Sequence, residues 1–308
     1  MSYRLDLDQP PAVTGRRTLV TQLAKARDRF ESQTDDPAAL LHDIRKDLKK
    51  TRSLLRLMRP ALTDETYKAE MGALRESARA ISASRDADAV PAALAKLQAR
   101  SVGRLPESTW ATLETALAAG PRTSARDALS GRREALRGAA ERAESWPLRE
   151  MGWGELLEGV ERTYRRGRKA FGRARQSPTV ADLHEWRKRA KDLLYQTSLL
   201  EAAWPAVIEA YAEQAHRLSD LLGDDHDLAM LVATLRDAGG PAGQVAVPAD
   251  AVIELAEQRR LRLERKAFRL GARLYGESPK ALRQHLEQLV QAARAKPDEP
   301  PASLERAA

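Results

Sequence analysis

The chain has 308 residues, a formal net charge of +8 and a sequence pI near 9.8, with 43% hydrophobic residues, enough for the cores of one large or two ordinary domains. It has no cysteine, which excludes disulfides, cysteine-based zinc sites and a thiol nucleophile. No stretch reaches the 18 or so apolar residues of a membrane span, and Met1 to Asp8 lacks the apolar centre of a secretion signal, so a cytoplasmic location is expected. The basic excess favours an acidic partner such as nucleic acid, anionic lipid or polyphosphate without choosing among them.

Amphipathic runs of Ala, Leu, Arg and Glu fill the chain, and strand-like alternation is confined to Gln244 to Val247, so the fold is expected to be all-α. In chain order the pattern predicts helices near 16–32, 37–59, 64–84, 86–99, 107–119 and 122–144, then 154–175, 178–203, 206–222, 225–237, 249–275 and 279–295. Residues 1–14 form an N-terminal extension, 145–153 are the joint between halves, Gly239 to Gly243 a loop, and 297–308 a proline-containing disordered tail.

The second set of helices repeats the first. His42-Asp43-Ile44-Arg45-Lys46-x-x-Lys49 returns 142 positions later as His184-Glu185-Trp186-Arg187-Lys188-x-x-Lys191. Phe30 corresponds to Phe171, Asp36-Pro37 to Ser177-Pro178, Pro60 to Pro205 and Tyr67 to Tyr211. Ile81 to Asp86 corresponds to Leu222-Gly223-Asp-Asp-His226-Asp227. Each cap followed by proline is a helix start. A duplicated unit of this kind, about 15–145 and 153–296, predicts two four-helix bundles related by a pseudo-two-fold axis.

At about 100° per residue, His42, Arg45, Lys49, Arg52 and Arg56 fall within roughly 80° of arc, a cationic stripe about 21 Å long. Leu41, Ile44, Leu48 and Leu55 occupy the adjoining apolar face, where Ile44 and Trp186 take equivalent core positions. The second stripe is shorter, because Leu194 and Ser198 stand where the first has Arg52 and Arg56. The preceding helix compensates: Arg165, Arg166, Arg168 and Lys169 outnumber the matching Lys25 and Arg27. A single such stripe is ordinarily a solvated face, but its repetition at one helix position argues for a polyanion groove. Such a groove binds through arginine forks and lysine point charges. Protonated His42 and His184 would add donors and tighten binding at mildly acidic pH.

Two rival activities have sequence support. Non-specific nucleic-acid binding suits the charge, although no aromatic lies on the stripe to stack bases. A metal-dependent phosphohydrolase would draw on the His-Asp pairs at 42–43 and 226–227, yet Asp43 points about 100° from His42 and a wall of cations surrounds both. Arg85-Asp86 and His226-Asp227 read better as polar pairs at a helix junction.

The two His-x-x-Arg-x-x-x-Lys helices, with the later Leu222-Gly223 to Asp227 element and its weaker counterpart Ile81 to Asp86, resemble the CHAD family, the conserved histidine α-helical domain. The resemblance covers about 15–296. It implies a pair of four-helix bundles with a basic central channel that binds inorganic polyphosphate, often at polyphosphate granules in bacteria. No Glu-x-Glu-x-Lys strand of the fused CYTH triphosphatase is present, so the resemblance implies a non-catalytic, cofactor-free binding domain. The site so expected comprises Lys25, Arg27, His42, Arg45, Lys46, Lys49, Arg52, Arg56, Arg166, Arg168, His184, Arg187, Lys188 and Lys191.

Overall fold

The structure is a computed structural model that describes residues 3–29, 37–82, 86–118, 132–238 and 249–295. Phe30, the Asp36 cap, Arg85, the Gln244 to Val247 stretch, the 239–243 loop and the C-terminal tail lie outside the described residues, as does the first part of the helix expected at 122–144. The described residues are all helical or connecting segments. The eleven α-helices are α1 Pro11–Arg29, α2 Pro37–Leu57, α3 Asp64–Ser82, α4 Asp86–Ala99, α5 Glu107–Ala118, α6 Arg132–Glu144, α7 Trp153–Gln176, α8 Val180–Ser198, α9 Pro205–Ala238, α10 Ala249–Leu274 and α11 Pro279–Arg294.

Their ends follow local chemistry. Ser278 Oγ accepts the Ala281 N–H at 3.1 Å, with Pro279 opening α11. The Glu155 carboxylate accepts the Gly152 N–H at 2.8 Å ahead of α7. Two expectations are corrected. The cap of α8 is Thr179 rather than Ser177: its hydroxyl accepts the Asp182 N–H at 3.1 Å, while Ser177 closes α7. The break expected at 222–225 does not exist, and α9 runs unbroken for 34 residues. Gly223 sits inside it as a packing glycine, since a Cβ there would stand 3.1 Å from the Arg187 guanidinium.

Helices α1, α2, α3 and α6 contact one another in a closed ring, and α7, α8, α9 and α10 do the same, with α11 laid along α7. The rings meet where α2 packs on α8 and α7. Ser53 Oγ donates to the Asp192 carbonyl and Gln196 Nε2 to the Ser53 carbonyl, each at 3.4 Å. Gly159 permits this approach, for a Cβ there would fall 2.8 Å from Leu57.

One apolar core runs through both rings and holds Ile44, Leu48, Leu55, Leu157, Trp186 and Leu193. A smaller core lies between α4, α5, the end of α9 and the start of α10, around Leu94, Trp110, Leu231 and Val252. The described part of the expected N-terminal extension belongs to the large core: Tyr3, Leu5 and Leu7 are buried. There the Leu5 N–H donates to the Leu199 carbonyl at 2.8 Å, the Tyr3 hydroxyl to Lys50 at 2.9 Å, and Arg294 to Leu7 at 2.9 Å. Among the described residues, no helix is long and apolar enough to cross a membrane.

Candidate functional site

The apolar faces of α2 and α8 dictate where their charges go. Ile44, Leu48 and Leu55 on one helix and Leu183, Trp186, Ala190 and Leu193 on the other are buried, which leaves both cationic faces directed to the junction between the rings. The carboxylates of α2 are drawn the other way. Arg29 of α1 bonds Asp43 at 2.5 Å and Asp47 at 2.8 Å, so the acidic edge of α2 is neutralised against α1.

Two cavities open at the junction. The first, about 480 Å³, is lined by Arg45, Lys49, Arg52, Arg56, Arg75, His184, Arg187, Lys188, Arg189, Lys191, Asp192 and Tyr195, nine of the twelve being arginine or lysine. Asp192 is the single carboxylate, and it is engaged: Arg56 Nη1 lies 2.6 Å from one oxygen and Arg189 Nη1 3.2 Å from the other. The second cavity, about 410 Å³, shares Lys49, Lys191 and Tyr195 with the first and adds Tyr3, His42, Lys46, Lys50, His216, Asp220 and Glu201 among others. It is more evenly charged, with His216 Nδ1 2.9 Å from Asp220.

Burial first, and crowding of like charge second, disfavour the charged forms of the basic groups here. Burial, then the guanidiniums of Arg56, Arg75 and Arg79, pulls Arg52 below the ordinary arginine range, and its Nε is buried without a hydrogen-bond partner. Lys50 is lowered by burial and by Lys46. Burial, the adjoining His226 ring at 4.4 Å, Lys188 and Arg187 push His184 down to about 4. In the free protein His184 is therefore neutral at pH 6 to 8, so a proton that it donates to an anion there has to be taken up with that anion. Tyr195, raised to about 12 by burial, keeps its hydroxyl proton between the two cavities. A phosphate chain entering this space would relieve the repulsion among these groups.

The matching family model is that of the CHAD domain, and it covers residues 10–236. The chain belongs to the CHAD family. The crystal structure of the CHAD domain from the plant Ricinus communis is similar to it with a TM-score of 0.56 at 18% identity, over 93% of this chain and 95% of that one, which shows a shared fold. Among curated proteins none matches.

In this CHAD domain ten of the fourteen expected site residues line one cavity or the other. Those absent from the walls are Lys25 and Arg27 of α1 and Arg166 and Arg168 of α7. Arg27 pairs with Asp28 at 2.6 Å, and Lys25 lies near Lys50. Arg166 and Arg168 are exposed on the outer side of α7, because Gly167, Ala170 and Phe171 take the buried face. Arg56, expected as an open binding group, is tied to Asp192.

Sequence reasoning missed Arg75, Arg189, Asp192, Tyr195 and Lys50, and it read His226 as a junction residue where the structure sets its ring, tilted, 4.4 Å from that of His184. Lys50, beside Lys49, carried a signal in the charge run itself. Asp192 and Arg75 carried none, since what matters about them is contact with α2, which no spacing within their own helices reveals. Among the described residues, no group of three or more His, Asp and Glu is placed to hold a metal ion.

Proposed function

We propose that this CHAD domain binds inorganic polyphosphate along the two adjoining cavities, as a non-catalytic receptor that places the protein at polyphosphate deposits in the cytoplasm. One observation carries the reading: nine arginine and lysine side chains from α2, α3 and α8 surround about 480 Å³ with a single carboxylate that is already bonded twice. So dense a wall of like charge costs stability unless an anion of repeating charge neutralises it. Polyphosphate presents such charge and needs no base-reading or stacking surface. The matched contact order of the rings α1–α2–α3–α6 and α7–α8–α9–α10 supports reading the molecule as a duplicated unit whose histidine helices form one basic groove.

The test is a titration with long-chain polyphosphate across a salt series, with duplex DNA, RNA and tripolyphosphate as competitors at equal phosphate. The expected result is salt-dependent binding to the cavities that nucleic acid at equal phosphate does not displace. Displacement by DNA or RNA at equal phosphate would make the cavities a general polyanion site, and failure to bind would remove the proposal.

A further inference from the structure

In the register of the sequence repeat, the two cavities have corresponding walls. His184 and Lys188 line the first cavity, and His42 and Lys46, their counterparts in the repeat, line the second. The correspondence fails at three arginines. Leu194 and Ser198 of α8 stand in the second cavity where α2 gives Arg52 and Arg56 to the first. Arg75 of α3 has Ser219 of α9 as its counterpart, in the register that matches Tyr67 with Tyr211. The second cavity is nearly as large, about 410 against about 480 Å³, but its chemistry differs.

Six arginines, three lysines and one carboxylate line the first cavity. Among the described residues, the second has four lysines, no arginine, and the carboxylates of Glu201 and Asp220. Asp220 bonds His216 Nδ1 at 2.9 Å and Glu201 lies 3.6 Å from Arg4, so both carboxylates keep acceptor capacity. The Ser219 hydroxyl, in a residue only 1% exposed, has no hydrogen-bond partner.

Polyphosphate contains two kinds of unit. An interior unit carries one charge on two free oxygens, which only accept hydrogen bonds. A terminal unit has three free oxygens and a second ionisation near pH 6, so at pH 7 it carries about −1.5 to −2 and, in its protonated fraction, an O–H donor. Arginine forks match the paired oxygens of interior units, and they dominate the first cavity. In the second cavity two carboxylates oppose a run of interior units. Leaving the histidines aside, four lysines against two carboxylates leave two positive charges there, the complement of one terminal unit. Each ammonium offers three donors to its oxygens, and Asp220, Glu201 and Ser219 can accept its O–H.

We propose, on the polyphosphate reading above, that the second cavity holds the terminal phosphate of the chain while the first holds the interior units behind it. Lys49, Lys191 and Tyr195, shared by both cavities, join the two sites. The chain then lies in one direction, and each protein molecule occupies one chain end. A linear chain has two ends whatever its length, so it holds two tightly bound copies. Further copies engage interior units through the first cavity alone and bind more weakly.

The experiment compares linear polyphosphate of about 50 and about 200 units with the same chains capped at both ends by ethanolamine as phosphoramidates. Capping leaves each end with the two free oxygens of an interior unit and changes the total charge little. Affinity is titrated at fixed salt, and copies per chain are counted by sedimentation. The expected result is two tight copies on both free-ended chains and a loss of tight binding of at least tenfold on capping. S198R supplies the arginine that the first cavity has at Arg56. With helical content checked by circular dichroism, it should raise affinity for capped chains until the two forms differ by no more than about threefold. Equal wild-type affinity for capped and free chains, tight copies that multiply with chain length, or a folded S198R variant that keeps the full difference would overturn the proposal and leave the polyphosphate reading standing. No binding of either form would remove both.

Discussion

Replacing Asp192 with asparagine should tighten polyphosphate binding. The side chain keeps its shape and place, 14% exposed on the wall of the first cavity, but loses the one negative charge of that wall and frees Arg56, while Arg189 stays bonded to Glu185 at 2.7 Å. A carboxylate about 6 Å from a phosphate charge, at an effective dielectric constant of about 40, opposes it by about 1.4 kcal/mol, so affinity at low salt should rise about tenfold. One more available cation should also steepen the salt dependence by about 0.7 in the log–log slope. The fold should suffer, because asparagine keeps a single acceptor oxygen, so one of the two arginine hydrogen bonds is lost and the other weakened, at a cost of about 1–3 kcal/mol. Salt-series titration measures the first two quantities and chemical denaturation the third. An affinity that falls in a folded variant, or a slope that does not change, would refute the idea that Asp192 holds Arg56 back from the ligand.

The triple change R45A/K49A/R52A removes three cavity cations and should flatten the polyphosphate salt slope by about 2 with helical content preserved; an unchanged slope would put the ligand elsewhere. Gly223→Ala adds a methyl 3.1 Å from Arg187 and should weaken polyphosphate binding severalfold while leaving thermal stability equal or slightly higher, since alanine is the better helix former; a loss of stability with affinity intact would contradict it. Gly271→Ala has the opposite profile: its Cβ would fall 2.4 Å from Trp186 in the core, and overpacking of about 1–3 kcal/mol should lower the melting temperature by several degrees. The fold depresses His184 from 6.5 to about 4, so the unfolded chain takes up the proton first; that group's contribution is whole above pH 6.5 and is lost as pH falls toward 4. Bound polyphosphate should raise the His184 value, which a histidine NMR titration with and without ligand would show, and an unmoved titration would place the phosphates away from that ring.

Helix periodicity was legible because this chain marks its helix ends with prolines and polar caps, and because buried leucines fall at regular intervals along α2 and α8. The cationic faces were legible for the same reason, being what remains once the apolar stripe is assigned. Local signals misled where a tertiary contact outweighed them. Gly223 resembles a helix stop and is a contact surface for Arg187. Arg56 continues the stripe and is claimed by Asp192 across the junction. Arg166 and Arg168 were assigned to the groove from charge count alone, although their positions relative to Gly167, Ala170 and Phe171 turn them outward. The second cavity's contact with Tyr3 was invisible, since residues 1–14, a segment without periodicity, read as an appendage.

That segment ties the start of the described chain to the binding region. Tyr3 lines the second cavity, its hydroxyl holds Lys50, and its ring lies 4.8 Å beneath the Lys50 ammonium. A fluorophore attached just ahead of Tyr3 would therefore sit at the cavity wall and report occupancy directly through quenching, with no labelled ligand. By the same geometry, a purification tag or fusion partner joined there would obstruct what it was meant to help study.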